Sequence, residues 1–95
     1  MNAHVYRYEF GPDIINDDVE VAIVMAIMAA ESLYGEAEVR LNARYFFDPD
    51  RHACVINVAT VLGASFNKLF MGFLSRECGP DSFKVHPLAE RKAAA

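Results

Sequence analysis

Five side chains of the types that bind metals or serve as nucleophiles and bases are spread along the chain: His4, His52, Cys54, Cys78 and His86. His52 and Cys54 are two residues apart, so on a strand they would share a face. A zinc site would need a second pair of ligands at a comparable spacing, and the sequence contains none. The apolar residues around Cys54 predict a buried thiol, which is a poor nucleophile because only the thiolate reacts. We therefore expect no metal, no cofactor and no catalytic residues, and a non-enzymatic role is favoured.

Four basic side chains could bind a small anion: Arg7, Arg40, Arg44 and His86. The forked donors of arginine suit carboxylate and phosphate oxygens. If all four occupy outward strand positions, they gather on one open face of a sheet. The alternative is a solvated face with cross-strand charge pairs, such as Glu9 with an arginine. The alternation itself favours the solvated face, because any half-exposed sheet requires it.

Length and composition indicate one small domain. The 95 residues are 54% hydrophobic, which is enough to bury a single core. We expect one domain over residues 1–88 and a frayed tail over residues 89–95 (AERKAAA), where nothing can pack. The formal net charge of −4 argues against a nucleic-acid partner, because neutralising phosphates requires an excess of Lys and Arg.

The sequence also indicates a compartment. Two cysteines, Cys54 and Cys78, are too few for a disulfide framework and are interpreted as reduced thiols. The N-terminal segment carries charges and aromatics where a signal peptide would be apolar. The apolar run over residues 21–30 is far shorter than the roughly 18 to 20 residues that span a bilayer. We expect a cytoplasmic protein with no membrane contact.

The first half of the chain contains a strand, a helix and a second strand. Alternation over residues 5–10 predicts a half-buried strand. Asp17 and Glu20 form an acidic version of the capping box, so the first helix should begin there, run to Leu33 or Tyr34 and end at Gly35. From Glu38 to Asp48 the period changes to two, which predicts a second strand carrying Arg40 and Arg44.

The second half should pair with the first. The turn formers of residues 48–52 (DPDRH) join the second strand to a third over residues 53–59, as a hairpin. Thr60 should cap a second helix that ends at Gly79-Pro80, and a last short strand should cover residues 82–86. The order β-α-β-β-α-β predicts an α+β, ferredoxin-like sandwich, a four-stranded antiparallel sheet with two helices on one face. An RNA-recognition module shares this topology but stacks bases on aromatics, and the third strand (ACVINVA) has none.

The first helix is apolar on more than one side. At 100° per residue, one face gathers small and branched side chains suited to packing on a sheet: Val19, Ala22, Ile23, Ala26, Ala30 and Leu33. The opposite arc contains Glu20 and Glu31, but between and beside them lie four apolar side chains: Val21, Val24, Met25 and Met28. A two-layer fold covers only one side of each helix, and methionine is enriched at protein contacts. The other possibilities are that another part of the fold covers this arc, or that it is simply exposed.

Two functional hypotheses follow. The first is a non-enzymatic domain that self-associates through the first helix, most simply as a homodimer, or that binds another protein there. The second is a small anionic-ligand-binding module that uses the basic face of the sheet. The sequence identifies no substrate for either.

Overall fold

The computed structural model describes residues 3–89, with side chains described for residues 4–88. All of the predicted tail except Ala89 lies outside the described residues. Within them the order of elements is β-α-α-β-β-α-β, with these bounds: β1 Ala3–Phe10, α1 Asn16–Tyr34, α2 Glu36–Asn42, β2 Tyr45–Asp48, β3 Ala53–Asn57, α3 Val61–Cys78 and β4 Phe83–Ala89.

The described strands form one four-stranded antiparallel sheet in the order β2-β3-β1-β4, which confirms the predicted α+β class and antiparallel sheet. The predicted hairpin is confirmed as the β2–β3 pair, in which Phe46 lies opposite Val55. Tyr8 of β1 lies opposite Cys54 of β3 and Val85 of β4. Because side chains alternate along each strand, these positions share one face of the sheet.

The core lies between that face and the helices α1 and α3. Tyr8 and Cys54 from the sheet are fully buried, as are Val19 of α1 and Phe66 and Phe70 of α3. The ring of Tyr8 meets the edge of the Phe70 ring, with centroids 4.9 Å apart. A second, smaller cluster joins α1, α2 and α3 through three residues: Ala30, Val39 and Leu62.

The helix α2 corrects the prediction of two helices. A strand was expected from Glu38, but residues 36–42 (EAEVRLN) are good helix formers and form a helix after Gly35, whose φ of 91° ends α1. Val39 is buried, whereas Leu41 is 65% exposed. The alternation over this short segment was therefore not a burial pattern. As a result Arg40 lies on α2 and not on the sheet.

Three further details differ from expectation. Ile15 is the N-cap of α1 and makes no side-chain hydrogen bond, so the predicted capping box at Asp17 is wrong. Leu33 is exposed, because Tyr34 takes the inner position in the last turn and packs on the second cluster. β4 continues through Pro87, which an edge strand tolerates because one side of it needs no N–H donors.

The predicted Thr60 cap of α3 is confirmed: the Thr60 hydroxyl accepts from the Gly63 N–H at 2.9 Å.

Within residues 3–89, no helix combines the length and the apolar character that a membrane span requires.

Candidate functional site

The outward arc of α1 is the first candidate surface. Val21, Val24 and Met28 are 46%, 53% and 61% exposed, and Met25 is half-buried. In the described part of the chain, neither α3 nor the loop before α1 covers the three exposed side chains. The two layers of the fold bury only the inner side of α1, for example at Ala26. The arc is therefore free to contact a partner.

A groove extends this arc towards the sheet. It has a volume of about 450 Å³ and lies between α1 and β2, lined by Glu20, Ile23, Val24, Tyr45, Phe46 and Phe47. A neighbouring depression on α1 shares Glu20 and Val24 with it. Phe46 is 62% exposed and Tyr45 is also exposed. Val24 of the α1 arc and the edge strand β2 meet at this groove, and we term the arc and this edge together the α1–β2 surface.

Sequence reasoning missed the contribution of β2 to this surface. The signal was present in the run Tyr45-Phe46-Phe47, which places aromatic rings on both faces of a strand. The ring of Tyr45 faces the helices, 5.4 Å from that of Phe66. Phe46, one residue on, faces the other side of the sheet. The position of β2 at the sheet edge could not be read from this run, because strand order depends on pairings made elsewhere in the chain.

Charges of opposite sign lie at the two ends of β2. Arg44 immediately precedes the strand and is exposed, and its carbonyl oxygen accepts a hydrogen bond from the Asn57 N–H at 2.9 Å. Asp48 ends the strand, and its carboxylate accepts from the backbone N–H of Arg51 at 3.3 Å. Asp17 and Glu20 add negative charge beside the arc of α1. Arg44 and Asp48 thus lie at the rim of the α1–β2 surface, whereas Glu20 lies within it, between the groove and the depression.

The open face of the sheet carries the second candidate site. Arg7 and His86 lie opposite each other on β1 and β4, and both contact Glu9. The distance from Arg7 Nη1 to Glu9 Oε2 is 3.0 Å, and that from His86 Nε2 to Glu9 Oε1 is 3.3 Å. Arg44 precedes β2, on the far side of β3, and Arg40 lies on α2. The structure thus brings together two of the four predicted ligand-binding residues and pairs both with a carboxylate.

The predicted anion site on this face stays a prediction, but the strand position of Arg40 on which it relied is wrong. The cross-strand contact of Glu9 with His86 and its contact with Arg7 are of the kind that a solvated sheet face makes. An anion that binds Arg7 must compete with the carboxylate that already accepts from it.

Of the residues with nucleophilic or metal-binding chemistry, His86 lies on the open sheet face, and the two cysteines belong to neither candidate surface. Cys54 is fully buried, as its apolar neighbours predict, and desolvation raises the pKa of its thiol to about 12. Burial raises the pKa of the Cys78 thiol as well, helped by the negative charges of Asp18 and Glu77. Both thiols are therefore protonated near neutral pH and are weak nucleophiles.

His52 lies in the turn between β2 and β3, with a φ of 56°. Its Nε2 is buried and has no hydrogen-bond partner within the described residues. The described residues contain no group of three or more His, Cys, Asp or Glu side chains placed to hold a metal ion.

The α1–β2 surface offers exposed apolar side chains, and the described residues contain no assembled set of reactive groups. Comparison with protein-family models, with curated protein sequences and with solved structures gave no match.

Proposed function

We propose that this protein is a non-enzymatic domain that self-associates through α1, as a homodimer, with Val21, Val24, Met25 and Met28 at the contact. The observation that carries the proposal is the exposed apolar arc on the side of α1 opposite its core face. Twofold pairing is the commonest way in which identical chains assemble. Methionine adapts its shape at such contacts, which suits the positions of Met25 and Met28.

The free energy gained by burying apolar side chains determines how large the contact between two copies must be. Fully burying one Val or Met side chain contributes about 1.5–3 kcal/mol, so burying the exposed half of one contributes about 1 kcal/mol. The three exposed side chains of the arc in two copies therefore supply about 6 kcal/mol, against an association cost of about 4–15 kcal/mol. The arc alone supports a weak dimer. A stable one also needs the groove side, where Tyr45 and Phe46 are exposed.

Light scattering coupled to size exclusion, over a dilution series, tests the proposal. We expect the wild type to have the mass of two chains at high concentration and to approach one chain on dilution. Met28→Glu should remain folded and have the mass of one chain throughout, because a carboxylate in the contact would lose its hydration.

Val61→Glu is the matched control. Val61 is 78% exposed and lies in the first turn of α3, where a carboxylate is well tolerated. This variant should retain the mass of the wild type. A Met28→Glu protein that assembles as the wild type does would contradict the proposal.

The finer fold assignment is also a proposal: a ferredoxin-like arrangement with one extra helix. It is supported by the strand order, which reads β4-β1-β3-β2 from the β4 edge, and by the packing of α1 and α3 against the same face of the sheet. The short helix α2 departs from the two-helix pattern. A cytoplasmic location is supported by the free thiols of Cys54 and Cys78.

A further inference from the structure

Within residues 3–89, the strand β2 is paired along one edge only. The Arg44 carbonyl oxygen points towards β3, where it accepts from the Asn57 N–H at 2.9 Å. Backbone groups alternate along a strand, so Phe46 also turns its N–H and C=O towards β3. Tyr45 and Phe47 therefore turn theirs to the free edge. These are the groups that a further strand would need.

The other edge of the sheet, β4, carries residues that discourage strand addition, whereas the four-residue β2 is protected only by its short length. β4 contains Pro87, which has no N–H, and the exposed charged or polar side chains of Lys84 and His86. Proline and lysine are among the residues that discourage strand addition at an edge. β2 instead presents two exposed aromatic side chains, those of Tyr45 and Phe46.

The sequence of β2 is complementary to itself in the antiparallel direction. If a twofold axis passes beside Phe46, Tyr45 lies opposite Phe47 of the second copy, and each pair can exchange two backbone hydrogen bonds. The same register places Arg44 opposite Asp48 of the second copy, on both sides of the axis. Opposite charges at facing positions stabilise a strand pair. A parallel arrangement would lose this charge match.

The same axis brings the β2-facing sides of the two α1 helices towards each other. A twofold axis perpendicular to the sheet leaves the helices of both copies on the same side of a continuous sheet. α1 lies beside β2, since Val24 and Tyr45 line one groove. Two copies paired along β2 therefore also approach each other along the side of α1 that carries Val24.

We propose that two copies of this chain join through antiparallel pairing of their β2 edges, centred on Phe46, to form a continuous eight-stranded sheet. This proposal rests on the proposed self-association and specifies its geometry. The Arg44–Asp48 pairs between copies set the register, and the Val24 side of each α1 lies above the paired strands.

Cysteine cross-linking tests the register. At the centre of the pairing, Phe46 forms a non-hydrogen-bonded pair with its own copy, with Cα atoms about 4.5 Å apart. That distance lies within the range that a disulfide can bridge. We expect Phe46→Cys, in a Cys78→Ser background, to form a covalent dimer under mild oxidation. Leu88→Cys is the matched control, because it is 40% exposed but lies on β4, and it should stay a single chain.

Charge reversal tests the pairing without a cross-link. Arg44→Asp places two negative charges opposite each other at both ends of the paired strands. We expect the dissociation constant of the dimer to rise roughly tenfold. Asp48→Lys should weaken it similarly. The double variant Arg44→Asp/Asp48→Lys restores opposite charges and should regain most of the affinity, which a merely disturbed turn would not do.

The outcomes separate the two proposals. A dimer that depends on Met28 but gives no Phe46→Cys cross-link and is indifferent to Arg44→Asp overturns the edge pairing and leaves association through α1 intact. A wild type with the mass of one chain at every concentration overturns both. A Phe46→Cys cross-link together with charge rescue by the double variant supports the edge pairing.

Discussion

The hydroxyl of Tyr8 donates a hydrogen bond to Asn67 Oδ1 at 2.6 Å, across the interface between the sheet and α3. Both residues are buried, at 0% and 7% exposure. A buried polar group without a partner costs more than the hydrogen bond contributes, so the two side chains need each other. This hydrogen bond connects α3 to the central strand β1.

Removing one member of this pair should destabilise the protein. We expect Asn67→Leu to lower the free energy of unfolding by about 1–3 kcal/mol, because the buried Tyr8 hydroxyl loses its 2.6 Å acceptor and keeps only the backbone carbonyl oxygen of residue 67, at 3.5 Å. Tyr8→Phe should lower the free energy of unfolding by a similar amount, since it leaves the Asn67 side-chain oxygen without its donor. The double variant should be less destabilised than the sum of the two singles. Urea unfolding followed by circular dichroism measures all three, and strict additivity would show that the pair is not coupled.

Two glycines of α3 should respond to alanine in opposite ways. Gly63 is buried beside the backbone of β3, and a Cβ there would collide with the Asn57 carbonyl oxygen. Gly63→Ala should therefore lower the free energy of unfolding and disturb the start of α3. A Cβ at Gly72 would meet no neighbouring element of the described chain. Gly72→Ala should stabilise the protein by up to about 1 kcal/mol, because alanine is the better helix former.

Thermal or urea unfolding of both variants provides the check, with each variant serving as the control for the other. A Gly63→Ala protein as stable as the wild type would show that the close approach of α3 to Asn57 is not required.

The sequence predicted the structure correctly wherever a single local pattern determined it. The 100° periodicity of α1 identified Val19, Ala22 and Ala26 as its inner face, and all three are buried. Thr60 and Gly79 marked the ends of α3 correctly, because caps act through neighbouring backbone groups. Tyr8 and Cys54 fell on the core face, because alternation along a strand is a local property.

The features that the sequence did not predict depend on contacts between residues far apart in the chain. In residues 36–42, alternation and helix propensity disagreed, and the packing of Val39 on Ala30 and Leu62 accompanies the helical outcome. The edge position of β2 likewise depends on which strands pair, and the residues around Phe46 do not indicate it. The basic side chains appeared as one group only because Arg40 was assigned to a strand. The aromatic run of β2 was visible in the sequence, but its position at the edge of the sheet was not.

Buried Cys54 and Tyr8 should make the protein lose stability at alkaline pH. Desolvation raises the pKa of the Cys54 thiol from 9.0 to about 12, and burial also raises the pKa of the Tyr8 hydroxyl. A group whose pKa is raised on folding stabilises the native state fully below its unfolded pKa, and that contribution is lost as the pH rises towards the folded value. The free energy of unfolding should be flat near pH 7–8 and fall between about pH 9 and 12.

Cys54→Ala isolates the thiol contribution, since alanine does not titrate. This variant should be less stable at pH 7, because it leaves a cavity, but its stability should fall less steeply above pH 9. Urea unfolding at several pH values measures the slope. An identical slope in both proteins would show that Cys54 does not titrate with a raised pKa.

The Glu9 carboxylate should control whether the open sheet face can hold an anion. In the wild type Glu9 accepts from Arg7 at 3.0 Å and contacts His86 at 3.3 Å, so an added phosphate or carboxylate has to displace it. We expect inorganic phosphate to leave the melting temperature of the wild type unchanged at matched ionic strength. Glu9→Gln removes the competing charge, and phosphate should then raise the melting temperature, because a ligand that binds the native state stabilises it. Arg7→Gln in the Glu9→Gln background should abolish that rise. A wild type that phosphate stabilises as strongly as Glu9→Gln would instead favour a working anion site on this face.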